Sequence, residues 1–207
     1  MAKQLAFYFD SSVCTNCKAC QIACQDKNDL PASMRWRRVL QYGGGNWVLQ
    51  DNVMTPNNIY TYSTSTSCMH CAEPICAEVC PAAAITEGGN GIVNIDANKC
   101  IGCRYCQWAC PYGAPQFRTD LGVMTKCNFC QDNLAAGKNP ACVDACVMRA
   151  LDFGELDVLQ ARYGTLDAIE PLPSGTITKP SFVITPHLNA QESGKGTGKI
   201  LNLPEEV

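Results

Sequence analysis

Sixteen cysteines fall into four groups: Cys14, Cys17, Cys20, Cys24; Cys68, Cys71, Cys76, Cys80; Cys100, Cys103, Cys106, Cys110; and Cys127, Cys130, Cys142, Cys146. The first and third read C-x2-C-x2-C-x3-C, the bacterial ferredoxin spacing, in which three thiolates on one tight loop hold one iron-sulfur cluster and the fourth reaches the neighbouring cluster. The second stretches one step to C-x4-C, and the fourth inserts Gln131 to Ala141 between its second and third cysteines. Cys80-Pro81 and Cys110-Pro111 complete the ferredoxin signature, whereas Gln25 follows Cys24 and Val147 follows Cys146. Thiolate is a soft anion that suits iron-sulfur cores, and four per cluster leave no open site for substrate. The chemistry expected is one-electron transfer through four 4Fe-4S clusters.

Two other uses of cysteine fit less well. A disulfide framework belongs to small secreted domains, whereas this chain has 207 residues and 46% hydrophobic content, enough to bury a core without staples. Met1 to Asp10 also lacks a basic segment followed by an apolar run, so no secretory leader is expected there. Structural zinc uses separated C-x2-C pairs or mixed Cys/His sets, and only two histidines are present. No GxGxxG, no phosphate loop ending in GK[ST] and no nucleophile-base constellation appears, so no catalytic residue is assigned.

Composition limits the partners. No run of about 18 apolar residues could cross a bilayer. The formal charge of −3 counts thiols as neutral; ligation deprotonates them, and with four cores of about 2+ the holoprotein carries roughly −11. So acidic a molecule disfavours nucleic acid. Charged residues make up only 17% of the chain, against a usual ~25%, which points to surface covered by other subunits.

Elements must bring these groups together in pairs, because ferredoxin-like halves exchange their fourth ligands. The second and third groups share the Cys-Pro ending and are joined by a short segment, Ala82 to Lys99. They form one inserted module, and the first and fourth groups pair across it. The fold class expected is α+β, with two ferredoxin-like modules, one nested in the other. The outer module spans 1–54 plus 118–188, the inserted one 55–117, and 189–207 is an extended tail. The first cluster takes Cys14, Cys17, Cys20 and Cys146, and the second Cys127, Cys130, Cys142 and Cys24. The third takes Cys68, Cys71, Cys76 and Cys110, and the fourth Cys100, Cys103, Cys106 and Cys80. Strands are expected at Leu5 to Asp10, Ile59 to Ser65, Ile92 to Asp96 and Ser181 to Thr185. Arg38 to Leu49 reads as a hairpin turning at Gly43-Gly44-Gly45, and Glu155 to Tyr163 as a helix capped by Gly164. Each fourth cysteine is expected on a short helix: Cys20 to Asp29, Cys76 to Val79, Cys106 to Ala109 and Cys142 to Arg149 lack internal Gly and Pro.

Other residues take secondary roles. His70 lies between ligands of a full set, so packing or hydrogen bonding is expected rather than ligation. Tyr105, Trp108 and Tyr112 read as packing that excludes water, and Arg37-Arg38 as a surface or interface pair. The second group has Glu73 and Glu78 and no Lys or Arg between its ligands. Cations favour the reduced state, so the third cluster is expected to have the lowest potential.

The segments CIGCRYCQWACPYGAPQF (Cys100 to Phe117), TKCNFC (Thr125 to Cys130) and NPACVDACVMRALDFG (Asn139 to Gly154) closely resemble the iron-sulfur subunits of dimethyl sulfoxide reductases, within the complex iron-sulfur molybdoenzymes. FYFDSSVCTNCKAC, WRRVLQY and TKPSFVITP extend the resemblance over nearly the whole chain. It implies an electron-transfer subunit, not catalytic alone, set between a large molybdopterin catalytic subunit and a multispanning anchor that oxidises menaquinol. It also supports the nested pairing. Some relatives carry Trp at the second position of the third group and hold a 3Fe-4S centre; Cys103 here implies a full cubane. Electrons would enter at the Cys100, Cys103, Cys106, Cys80 cluster and leave from the Cys14, Cys17, Cys20, Cys146 cluster. The resemblance places the protein peripherally on the bacterial inner membrane, on the periplasmic face by co-export with its catalytic partner, with the cytoplasmic face as the alternative. The same role in a polysulfide, thiosulfate, tetrathionate, selenate or sulfite complex stays open, as do a free polyferredoxin-like carrier and a redox-silent metal protein.

Overall fold

Leu5–Asp10 (β1) is an apolar, aromatic strand whose two faces are both buried, and the molecule is assembled on either side of it. The computed structural model describes residues 3–206. After β1 come α1 (Ala19–Lys27), β2 (Arg38–Gln50), β3 (Val53–Thr66), α2 (Ile75–Glu78), β4 (Ile85–Glu87), β5 (Val93–Ile95) and α3 (Tyr105–Ala109). Then follow β6 (Gln116–Arg118), β7 (Val123–Thr125), α4 (Gln131–Ala135), α5 (Ala141–Asp144), β8 (Leu151–Glu155), α6 (Leu156–Tyr163), β9 (Phe182–Thr185), β10 (Lys199–Ile200) and α7 (Leu203–Glu206). Short strands and helices with long connections make the α+β class expected. No helix among the described residues is long and apolar enough to cross a membrane.

The first sheet has the order β8-β1-β9, with β1 antiparallel to β8 and parallel to β9. Alternation sends side chains to opposite faces. Ala6 and Tyr8 meet α6 through Leu156, Leu159 and Tyr163, and the Tyr8 and Tyr163 rings stack at 3.7 Å. Phe7 and Phe9 enter the main core, which they share with Cys20, Cys127, Cys142 and Cys146. Phe7 stacks on Phe129 at 4.1 Å, and His70 meets the Phe129 edge at 5.3 Å. Phe129, wholly buried, thereby ties a cysteine loop to the sheet.

The second sheet, β10-β2-β3, is dominated by a long antiparallel hairpin. Its turn is Asp51-Asn52, whose φ values of 50° and 59° give the two left-handed residues a type I′ turn needs. The turn expected at Gly43-Gly44-Gly45 does not form there. Those glycines lie within β2, where the register shifts between Gly44 and Asn46. A Cβ on Gly43 would lie 2.8 Å from the Tyr60 carbonyl oxygen, and one on Gly45 2.6 Å from that of Asn58. Close backbone approach at a bulge, not reversal, requires glycine here. The strand β10 pairs with Gly43 and Tyr42, and Asn202 donates from Nδ2 to the Val39 carbonyl at 2.8 Å while accepting from the Gln41 amide at 2.8 Å. These contacts fasten residues 199–202 to the second sheet. The small hairpins β4-β5 and β6-β7 complete the strand set.

Of the fourth cysteines, Cys24 alone lies inside its helix, α1. Cys80 follows α2, Cys110 is the last cap of α3, and Cys146 follows α5, which ends at Asp144 rather than reaching Arg149. Pro81 and Pro111 forbid continuation, and Arg149 is left-handed at φ 54°.

Three substitutions test this packing. Gly45→Ala, strained at φ 116° and against Asn58, is expected to cost about 1–3 kcal/mol. Gly89→Ala meets nothing within 4 Å and should cost less than about 1 kcal/mol. Phe129→Ala should cost about 3–5 kcal/mol. Chemical denaturation of the purified variants, followed by circular dichroism, measures the order.

Candidate metal centres

In every group the residue just before the second cysteine is left-handed: Asn16 (φ 57°), His70 (44°), Gly102 (69°) and Phe129 (62°). A residue in this conformation coils the chain so that successive side chains converge. Glycine and asparagine adopt it readily; His70 and Phe129 are held there by burial. At Gly102 a Cβ would also sit 2.5 Å from the Gly122 carbonyl oxygen.

A second device repeats after the fourth cysteine. Ala83, Gly113 and Arg149 are left-handed, and the turn swings the next amide onto sulfur. The amides of Ala84, Ala114 and Ala150 donate to Cys80, Cys110 and Cys146 Sγ at 3.3, 3.5 and 3.2 Å. Strand ends anchor two of these alanines: Asp96 donates to the Ala84 carbonyl and Asp10 to that of Ala150, each at 2.8 Å. Cys24 departs from the pattern. Since α1 runs on, the Asn28 amide bonds to the Cys24 carbonyl at 3.3 Å, and the Asn28 side-chain amide faces Cys24 Sγ at 3.8 Å. A proline after Cys24 would break α1, which accounts for Gln25. The repeated C-x3-A spacing at Cys80, Cys110 and Cys146 was a legible signal for this turn.

The cysteines gather across groups. One cavity is lined by Cys14, Cys17, Cys20 and Cys146, with Phe9, Val39 and Leu151, and, counting space open to solvent, leaves about 320 Å³ free of protein atoms. A second, also about 320 Å³, is lined by Cys68, Cys71, Cys76 and Cys110. A third, about 300 Å³, is lined by Cys80, Cys100, Cys103 and Cys106. The remaining four are near one another: Cys24 feels Cys142 and Cys130, and Cys127 feels Cys24 and Cys142. Burial, followed by the neighbouring sulfurs, pushes the thiols up: Cys24 to about 12 and Cys76 to about 12. At Cys14 and Cys106, each pushed to about 11, burial is again the leading cause. Thiols in these settings keep their protons at neutral pH unless a metal displaces them. No set of three His, Cys, Asp or Glu among the described residues closes round a single ion. Four sulfurs lining one largely apolar space, as in these three cavities, suit a cubane, which takes one thiolate per iron, better than a lone zinc.

Two buried cations, Arg37 and Lys126, lie beside the cradles. Arg37, expected at a surface or interface, is 1% exposed. Burial opposes its charge, but Cys142, Cys20, Cys127 and Cys24 more than offset this and raise its pKa. Lys126 is buried, donates to the Val93 carbonyl and, at 3.2 Å, to that of Cys127, and lines the Cys68 cavity. The absence of a cation expected around the second group is thus corrected: folding delivers one from far along the chain. His70 accepts from the Val93 amide at 3.1 Å through Nδ1, a hydrogen-bonding role. Burial, then Lys126, hold its pKa well below the usual range. Tyr112 is buried and its hydroxyl pairs with Thr178 at 3.2 Å, whereas Trp108 is 72% and Tyr105 52% exposed. The expectation that all three shield a cluster holds for Tyr112 alone.

A family model described as a 4Fe-4S dicluster domain matches residues 59–156. Over 207 residues, all of both proteins, the sequence is 47% identical to the B subunit of anaerobic dimethyl sulfoxide reductase from Escherichia coli. It is 39% identical over 163 residues to the thiosulfate reductase electron transfer subunit of Salmonella typhi, covering 76% of this chain and 79% of the relative. To the B subunit of polysulfide reductase from Wolinella succinogenes it is 34% identical over 191 residues, covering 90% and 96%. Identity at this level over the full length, with four cysteine groups arranged as described, means that the chain belongs to the family of iron-sulfur electron-transfer subunits of dimethyl sulfoxide reductases.

Proposed function

We propose that this chain carries four 4Fe-4S clusters and relays electrons from a quinol-oxidising membrane anchor to a molybdopterin catalytic subunit. The observation that carries the reading is the mixing of groups: each of three cavities takes three cysteines from one group and one from another. Under it, Cys14, Cys17, Cys20 and Cys146 hold centre 1, and Cys127, Cys130, Cys142 and Cys24 hold centre 2. Cys68, Cys71, Cys76 and Cys110 hold centre 3, and Cys100, Cys103, Cys106 and Cys80 hold centre 4. Residues 1–54 with 118–188 then make an outer module, 55–117 an inserted one, and 189–207 a tail. The outer boundaries run through β3 and β6, so the two modules share strands.

Such clusters supply one-electron transfer with no open coordination position. The protein's own part is to hold sulfur, exclude water and aim amides. Amide donors to Cys80, Cys100, Cys110, Cys127 and Cys146 Sγ stabilise negative charge on the ligands and so ease reduction. Exchange links centre 1 to 2 and centre 3 to 4, and the nearness of Cys68 to Cys127 links 2 to 3. The four stations therefore form a single file. By the family resemblance, electrons enter at centre 4 and leave from centre 1. Exposed Ile101, Tyr105 and Trp108 beside centre 4 suit coverage by a partner. The subunit sits on the bacterial inner membrane through its complex, on the periplasmic side, with the cytoplasmic side as the alternative. The substrate, dimethyl sulfoxide or the polysulfide, thiosulfate, tetrathionate, selenate or sulfite of related complexes, is chosen in the catalytic subunit, because a closed electron wire has no place to select it.

Two measurements test this. Anaerobic isolation of the tagged protein from its host's membranes in mild detergent should bring down a large molybdenum polypeptide and a multispanning subunit; an iron-loaded monomer alone would refute the relay. Ligand exchange is tested by EPR of the complex: Cys146→Ser and Cys14→Ser should alter the same signal, while Cys24→Ser and Cys127→Ser alter another. Coincidence of Cys24→Ser with Cys14→Ser would contradict the pairing.

A further inference from the structure

Arg37 is a guanidinium sealed inside the protein without a carboxylate. Among the described residues no Asp or Glu lies within ion-pair distance of it. Its hydrogen bonds go to neutral oxygens only: Nη1 donates to the Ser65 carbonyl at 3.4 Å and Ser65 Oγ at 3.2 Å, and Nη2 to Ser67 Oγ at 3.1 Å. Its plane lies over the Phe7 ring at 4.7 Å, and Nε has no partner among the described residues. A lone buried charge is among the costliest features a fold can carry, so a counter-charge must be close. The cysteines around it supply the candidates. Ser65 Oγ lies 3.5 Å from Cys20 Sγ, which connects the guanidinium to centre 1 through one hydroxyl. The Arg37 backbone amide faces the Cys24 sulfur, which connects the same residue to centre 2. Cys127 and Cys142, also of centre 2, are among the sulfurs near enough to act on its charge once ionised.

We propose that Arg37 is the fixed cation shared by centres 1 and 2: the clusters are its counter-ions, and its charge raises the potentials of both so that electrons are drawn towards that end of the file. The inference rests on the cluster reading above. Each cubane with four thiolates carries net negative charge and gains one more electron on reduction, so a guanidinium held between two of them in a water-poor interior favours the reduced state of each. Lys126 occupies the next interval, against centre 3 and the carbonyl of Cys127. The lining of the centre 4 cavity contains no charged side chain. Arg37 is thus a positioning and tuning residue that binds no iron itself.

The test is a redox titration by EPR of the intact complex carrying Arg37→Gln or Arg37→Lys, with iron measured in each. The expected result for Arg37→Gln is a more negative midpoint for two clusters, those altered by Cys14→Ser and Cys127→Ser, with the other two unmoved. Arg37→Lys, which keeps the charge, should stay near the wild-type potentials. If Arg37→Gln fails to load iron while Arg37→Lys loads it, the need for charge is supported. Overturning results are unchanged potentials in an iron-complete Arg37→Gln, a shift confined to centres 3 and 4, or equal iron loss in both variants, which would make the residue a packing element. Wild-type complex showing fewer than four clusters would instead refute the cluster reading, independently of Arg37.

Discussion

Gathering sixteen thiols, eight of them buried, in a chain of 207 residues is tolerable only if something takes their protons and neutralises what remains, and the fold is arranged round that demand. Burial, with the neighbouring sulfurs, pushes several of these thiols to about 11 or 12, so the protein without metal would line its centre with protonated sulfur and open space. Clusters resolve both problems together, since iron displaces the protons and the inorganic core fills the cradle. The hydrogen bonds of the strand ends serve the same end. β1 holds Ala150, whose amide faces Cys146, and the segment after β5 holds Ala84, whose amide faces Cys80. Structure and metal load are therefore one cooperative unit.

This coupling explains how little regular structure the protein needs. Its helices near the cysteines are a turn or two long, too short to be stable by themselves. Left-handed residues, one or two in each cysteine loop, do the winding that longer elements do elsewhere, and the cost of putting His70 and Phe129 in that conformation is offset by their burial against Phe7 and the core. The parallel pairing of β1 with β9 and the binding of β10 to β2 bring distant parts of the chain to the same core.

Legibility in the sequence followed the range of the interactions. β1, α6 and β9 were readable because apolar periodicity and Gly164 are local signals, and the grouping of cysteines was readable because spacing encodes ligation. The turn at Asp51-Asn52 was obscured by a glycine run whose purpose is contact with Tyr60 and Asn58, partners that no local pattern reveals. The helix expected at Cys142 to Arg149 stops at Asp144 because of the left-handed turn at Arg149, which helix propensity does not reveal and only the repeated C-x3-A spacing marks. Arg37 reads locally as a surface or interface residue, and no local pattern shows that Lys126 reaches the second group; their burial depends on Ser65, Val93 and the cradles. The charge that matters to a cluster is set by tertiary placement, not by the residues between its ligands.

The central claim is that four cradles hold four closed cubanes. It is tested most directly by iron analysis and Mössbauer spectroscopy of the anaerobically purified complex grown on enriched iron, with the contribution of any cluster in the catalytic subunit subtracted. The account predicts about sixteen irons per copy of this chain, all in cubane environments with four sulfur ligands. Fewer irons with intact protein, three-iron centres before oxidation, or zinc in place of iron would contradict it.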